Sequence, residues 1–311
     1  MKAALIGESK TPEYGDFPDP TSGETVQVCA AALTNLDIAV AEGRHYLSPK
    51  TYPFVLGMEC VGQTKDGKKQ FFNAMAIVSP FGSMAERTIV RPEFGLPVPS
   101  GVRDDLAAAI GNAGLAAWLP LSWRAKIRPG ETVLVLGATG TSGLIAVAAA
   151  RRLGAGRIVA VGRSPEALET ARMLGADATV DISGGSDLTR AFQQAAGRDI
   201  DIVVDYLNGA PCEACLPLMG IGGRIVQIGA RAGTSIRLPV QSVLRNSIDL
   251  MGFAYYRAPH AEQAAAYQAL CNLASAGELV LPTQCLPLCD IREAWDRQKA
   301  GGSARQVIIP Q

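Results

Sequence analysis

Three glycines recur at every third position in the run Gly137-Ala138-Thr139-Gly140-Thr141-Ser142-Gly143. The run follows the apolar residues Thr132-Val133-Leu134-Val135-Leu136 and opens an Ala-rich segment. At a strand-to-helix turn of this kind each glycine has a physical task. One permits the tight turn, another lets the backbone approach a pyrophosphate, and the last lets helix and strand pack closely. The helix N-terminus beyond them offers free N–H groups and the positive end of its dipole to an anion. No Gly-Lys-Ser/Thr follows, so the turn is not a P-loop. Gly137, Ala138, Thr139, Gly140, Thr141, Ser142 and Gly143 are therefore expected to cradle the phosphates of a dinucleotide.

The end of the next apolar run, Val161-Gly162-Arg163-Ser164, indicates which dinucleotide. An acidic residue about 20 positions after the glycines would hydrogen-bond the ribose 2′-hydroxyl of NAD. Gly162 stands in that place and Arg163 follows it. A guanidinium can grip a phosphate through two parallel hydrogen bonds, whereas a carboxylate would repel it. The cofactor expected is NADP(H), with Gly162, Arg163 and Ser164 at its 2′-phosphate.

Other chemistry-bearing residues are sparse. The chain has two histidines, His45 and His260, so mechanisms that need two or three histidine ligands are almost excluded. Cys212-Glu213-Ala214-Cys215 and Cys285 with Cys289 could be read as a split four-cysteine zinc site. The 69 residues between the pairs exceed the spacing of ordinary zinc ribbons. These cysteines are expected to be small core hydrophobes.

The elements that must position the glycine turn follow from periodicity. Residues 132–137, 157–162, 178–181, 201–206 and 223–229 are short, apolar, β-branched runs, mostly without the alternation of a half-exposed strand. Segments 143–153, 165–174, 187–196 and 211–219 between them read as helices. Strands alternating with helices predict right-handed crossovers and a parallel sheet. Residues 249–254 would add a sixth, edge strand, and 261–276 a further helix ended by Gly277. Before the Pro-rich boundary at 96–101 the chain is β-rich, with strands expected over 25–30, 74–79 and 85–90. The tail returns to β-structure at Val307-Ile308-Ile309.

Length and composition agree with two domains. The 311 residues are 48% hydrophobic and 19% charged, enough for packed cores and too apolar for general disorder. Lys plus Arg and Asp plus Glu both number 29, so a broad electrostatic surface for nucleic acid or anionic membrane is not expected. No segment approaches about 18 uninterrupted apolar residues, and the N-terminus lacks a signal-peptide core. Seven cysteines, an odd number in a chain of this size, fit reduced thiols and a cytoplasmic location.

Several motifs in the correct order resemble the medium-chain dehydrogenase/reductase superfamily, most closely its zinc-independent quinone oxidoreductase and enoyl reductase branch. They are Leu33-Thr34-Asn35-Leu36-Asp37, the Pro53…Gly57-Met58-Glu59…Gly62 signature, Gly82-Ser83-Met84-Ala85-Glu86, Gly130-Glu131-Thr132-Val133-Leu134-Val135, and Leu174-Gly175-Ala176-Asp177. The sequence departs from the family at Ala116, where a Thr is usual, at Ala304-Arg305, where Gly-Lys is usual, and in a shortened region after Gly62.

The resemblance implies a fold of class α/β: a Rossmann-type doubly wound parallel sheet plus a GroES-like β-rich domain. Residues 1–108, completed by 256–311, would form the GroES-like domain and 109–255 the NADP-binding domain, with the ligand cleft between them. It adds Asn208, Gly229, Phe253 and Arg305 to the cofactor-binding residues. The superfamily's zinc-ligand positions fall at Thr34, Met58 and Asn112, none a normal zinc ligand, so no metal is expected and Glu59 would buttress the cleft. Tyr46, in Gly43-Arg44-His45-Tyr46, corresponds to a residue facing the nicotinamide that can donate a proton; packing at the domain edge is the other reading. Thr34 and Asn35 are the remaining polar candidates for catalysis, or else satisfied turn residues.

The implied activity is hydride transfer from NADPH to a small electrophile, a quinone or an α,β-unsaturated carbonyl. Reduction of an enoyl thioester, or NADPH binding with little turnover, stays open. The resemblance also implies a homodimer paired through 249–254.

Overall fold

A computed structural model of the chain describes residues 1–185, 187–301 and 304–310. Two compact units emerge, one formed by residues 1–112, 267–276 and 281–311, the other by 113–266 and 277–280. The boundaries expected at 108/109 and 255/256 thus move to 112/113 and 266/267. The first of these shifts has a local cause, a break in the helix at Gly111.

The first unit begins with strands β1 (Lys2–Ile6), β2 (Pro12–Asp16), β3 (Glu24–Ala32), β4 (Phe54–Val55), β5 (Cys60–Gln63), β6 (Lys69–Phe72), β7 (Arg87–Val90) and β8 (Leu96–Pro97); helix α1 (Asn35–Ala41) follows β3. Strands β2-β1-β4 make a small antiparallel sheet. Fully buried Leu33, Phe72, Met84 and Ile308 lie in this unit's main core cluster. The strand expected over 74–79 does not form. Asn73 starts a turn instead: its Oδ1 accepts the Met75 N–H at 2.9 Å and its carbonyl accepts the Ala76 N–H at 2.8 Å, leaving one isolated bridge, Ile77 to Val90.

Helix α2 (Asp104–Leu119) leads into the second unit, where β9 (Thr132–Leu136), α3 (Thr141–Arg152), β10 (Arg157–Gly162), α4 (Pro165–Met173), β11 (Ala178–Asp181), α5 (Leu188–Ala196), β12 (Ile200–Asp205), α6 (Gly209–Cys215), β13 (Met219–Gln227), α7 (Val240–Asn246) and β14 (Asp249–Gly252) alternate. The six strands are parallel and ordered β11-β10-β9-β12-β13-β14. This is the doubly wound order, which reverses between β9 and β12. Every residue of β9 is buried, as a strand covered on both faces requires. The helix expected over 211–219 stops at Cys215. Pro217 cannot continue an α-helical ladder, and a single 3₁₀ turn over Leu216–Leu218 hands the chain to β13.

Helix α8 (His260–Ser275) and then β15 (Thr283–Pro287), α9 (Ile291–Ala300) and β16 (Arg305–Ile309) follow. The tail strands join the larger sheet of the first unit, ordered β15-β16-β3-β5-β6-β8 with β7 also on β3. The stretch Asp104–Arg124 is long and apolar enough to cross a bilayer by composition, but 67% of its most apolar window is buried and Gly111 interrupts it.

Candidate functional site

The carboxyl ends of the parallel strands carry the expected cofactor residues of the second unit. The glycine turn follows β9, Gly162 to Ser164 close β10, Asn208 follows β12, Gly229 follows β13 and Phe253 follows β14. Gly137 has a φ of +90°, a conformation that favours glycine. A Cβ on Gly143 would come within 2.6 Å of Ala138 Cα, so the third glycine is what lets α3 lie against the turn. A Cβ on Gly140 would meet the Gly137 carbonyl oxygen at an uncrowded 3.8 Å. Gly140 is also the N-cap of the 12-residue α3 and supplies no side-chain cap, so the first-turn N–H groups meet no competing oxygen there. A phosphate fits this cradle.

Arg163 is exposed and, among the described residues, makes no hydrogen bond or ion pair. Ser164 is differently employed: its hydroxyl caps α4 by accepting the Ala167 N–H at 3.3 Å. Asn208 is held at a φ of +60°, with its N–H on Asp205 Oδ1 at 2.8 Å and its Nδ2 on Gly233 O at 2.8 Å. Gly229 is required because a Cβ would come within 3.1 Å of the Tyr206 carbonyl carbon. The Phe253 ring packs on Trp123 at 6.4 Å.

In the first unit the polar residues gather around two buried carboxylates. Thr34 is the N-cap of α1. Its hydroxyl accepts the Leu36 and Asp37 N–H groups at 3.0 and 3.2 Å and donates to Asp37 Oδ2 at 2.6 Å. Asp37 in turn accepts the Thr34 N–H at 2.7 Å, a capping box with both bonds made. Glu59 is wholly buried; Oε1 takes a hydrogen bond from Arg305 Nη2 at 2.6 Å and Oε2 one from the Asn112 N–H at 2.8 Å. Burial pushes the Asp37 carboxyl up to about 6 and the Glu59 carboxyl up to about 7, with Arg305 acting against both shifts.

Arg305, expected at the cofactor, is therefore committed to Glu59. It is only 8% exposed, at the start of β16, where the strand turns its side chain inward. Asn35 is exposed, and its Oδ1 accepts from Gln298 Nε2 at 3.3 Å. Tyr46 is 68% exposed, its ring 4.2 Å from the His45 ring. Cys212 and Cys215 are fully buried, as expected of core thiols, but Cys285, on the edge strand β15, and Cys289, in the 3₁₀ turn that follows it, are exposed. Among the described residues no three His, Cys, Asp or Glu side chains gather as a metal-binding group. Depressions of about 430 and 440 Å³ on the first unit are lined by residues such as Pro97, Val102, Cys29 and Cys285, and by none of the expected site residues.

Asp37 and Gly111 escaped the sequence reading as structural centres. The Thr-x-x-Asp spacing at 34–37 is a capping-box signal that could have found the first. Gly111, inside α2, has a φ of +23° and ψ of −131°, and nothing in an Ala-rich helical pattern marks it.

Comparison with known proteins agrees with this architecture. The family described as zinc-binding dehydrogenase matches residues 143–273. The mouse quinone oxidoreductase-like protein 2 is 29% identical over 269 residues, covering 83% of this chain and 76% of that protein. The quinone oxidoreductase of Thermus thermophilus, whose structure was also solved with NADPH, superposes with a TM-score of 0.77 at 28% identity, over 99% of this chain and 100% of that one. Together these likenesses support the medium-chain dehydrogenase/reductase superfamily, in its zinc-independent quinone oxidoreductase branch. A mycobacterial quinone oxidoreductase shares the fold at a TM-score of 0.87 and 20% identity, over the whole of both chains. The three positions at which the resemblance would place zinc ligands carry a capping hydroxyl at Thr34, a thioether at Met58 and an amide at Asn112.

Proposed function

We propose that the protein is an NADPH-dependent oxidoreductase that passes hydride to a quinone or an α,β-unsaturated carbonyl without a bound metal. The observation that carries the reading is the uncapped phosphate cradle after β9 beside an exposed Arg163 that is unpaired among the described residues. Likeness to the quinone oxidoreductases supports the acceptor class.

The cofactor supplies the hydride; the protein binds and orients it. First-turn N–H groups of α3 hold the pyrophosphate, with the helix dipole behind them. Arg163 holds the 2′-phosphate. Gly229 and the Asn208 turn bring backbone close at the ends of β13 and β12. Tyr46 or water supplies the proton that follows hydride, a task suited to an exposed phenol.

Neutral donors at Thr34, Met58 and Asn112 support catalysis without a metal. The Thr34 hydroxyl is spent on capping α1, and the nearby carboxylate of Glu59 already holds a guanidinium. Zinc prefers thiolate, imidazole or free carboxylate.

The test is NADPH oxidation by purified protein with a simple quinone and with an enoyl thioester, alongside metal analysis. Turnover with the quinone and no stoichiometric zinc is expected. Turnover confined to the thioester would reassign the substrate class. Activity abolished by a chelator and restored by zinc would overturn the metal-free reading, and NADPH binding without any turnover would overturn the enzyme reading.

A further inference from the structure

The turn after β9 is laid onto the end of β10 through one carbonyl. The Gly137 and Ala138 N–H groups both donate to Val161 O, at 3.0 and 2.8 Å. This anchoring sets where the next side chain falls. Thr139 lands over Gly162: a Cβ built there would lie 2.7 Å from Thr139 Oγ1 and 3.0 Å from its Cβ, and closer still to Cγ2. Gly162 has no positive φ, so its backbone would accept any residue. Space alone requires the glycine.

The neighbouring polar groups are occupied. The Ser164 hydroxyl is the cap of α4. Asp181, opposite Gly162 in the sheet register, takes the Ser183 N–H on its Oδ1 at 2.8 Å.

We propose that Thr139 is a specificity-determining residue. By filling the space beside Gly162 it excludes the carboxylate that a free ribose 2′-hydroxyl would require, and leaves Arg163 to meet a phosphate. The inference rests on the NADPH reading above and adds to it a second residue, in the turn after a different strand, through which preference is enforced.

Calorimetric titration with NADPH and with NADH, together with melting temperatures, tests it on wild type, Gly162→Asp, Thr139→Gly and the double variant. Wild type should prefer NADPH by at least ~10-fold, and Gly162→Asp should weaken both cofactors by ~10-fold or more and melt lower. Thr139→Gly, which alters the phosphate cradle, should lower affinity for NADPH and NADH by a similar factor and leave their ratio near that of wild type, while the double variant should melt near Thr139→Gly and bind NADH at least ~10-fold more tightly than Gly162→Asp does. A Gly162→Asp protein that binds NADH as well as the double variant would overturn the proposal. So would a double variant no better than Gly162→Asp. If wild type itself does not distinguish the cofactors, the NADPH preference falls as well; if it does and the double variant fails to switch, only the role of Thr139 falls.

Gly162→Ala with and without Thr139→Gly isolates crowding from charge, should Gly162→Asp fail to fold. Gly162→Ala should melt lower and be rescued by Thr139→Gly. Unchanged melting of Gly162→Ala would overturn the steric argument.

Discussion

Arg305 donates to Glu59 across 2.6 Å, joining the start of β16 to the residue just before β5 in a pair whose carboxylate is wholly inaccessible. The same guanidinium also acts on the buried carboxylate of Asp37. One cation thus serves two carboxylates. Burial raises both, and Glu59 and Asp37 disfavour each other's ionisation.

This arrangement predicts a pH dependence of stability. The carboxyls rise from ordinary values of 4.5 for Glu59 and 3.8 for Asp37 to about 7 and about 6 in the fold. The folded state therefore holds protons that the unfolded chain has released. The stabilisation is complete below the ordinary values and is lost as pH climbs through about 6 and then about 7. Arg305→Met should cost about 3–5 kcal/mol where Glu59 is ionised, and less near about pH 5, where a neutral carboxyl no longer needs its partner. Denaturant titrations at the two pH values check this; an equal loss at both would contradict it.

Gly111→Ala should be strongly destabilising although the site lies in a helix. A φ of +23° disfavours any side chain, and a Cβ would come within 2.8 Å of Phe71 Cε2 and 3.0 Å of Glu59 Oε2. The expected cost exceeds the ~1 kcal/mol by which alanine ordinarily improves on glycine in a helix, and has the opposite sign. Thermal unfolding of the variant decides the matter.

Thr34→Ala should remove about 0.5–2 kcal/mol through loss of the α1 cap. Thr34→Ser should restore most of it, because the hydroxyl makes the bonds. If Thr34 serves only as a cap, kcat per folded molecule stays near wild type in both variants. A large fall in kcat with unchanged unfolding would return Thr34 to catalysis.

Arg163→Ala should weaken NADPH binding by ~1.5–3 kcal/mol, the scale of a hydrogen bond to a charged group. NADH affinity should change little. Fluorescence or calorimetric titration with both cofactors is the measurement, and equal losses would remove Arg163 from the 2′-phosphate.

A homodimer is expected through the β14 edge. Leu250 on that strand is 41% exposed, and Leu244 and Val240 on α7 are 73% and 60% exposed. Unpaired edges with apolar residues are a liability that pairing removes. Light scattering at micromolar concentration should report two chains, and Leu250→Lys should shift the protein toward one.

The parallel sheet was legible in the sequence because buried strands, glycine turns and helix starts are local signals. The runs at 132–137 and 157–162, and the glycines of 137–143, each declare themselves within a few residues. The same locality misled at 74–79, where the Asn73 side chain captures the Met75 N–H and its carbonyl the Ala76 N–H, making a turn of a strand-like run. It also hid the partnership of Glu59 with Arg305, separated by 246 residues, and the crowding of Gly162 by Thr139. Composition can say that a carboxylate, a guanidinium or a glycine is present. Only the fold decides which charges share a dry interior and whether a missing side chain frees the backbone or yields space to a neighbour. Those outcomes depend on distances between strands that the chain brings together from far apart.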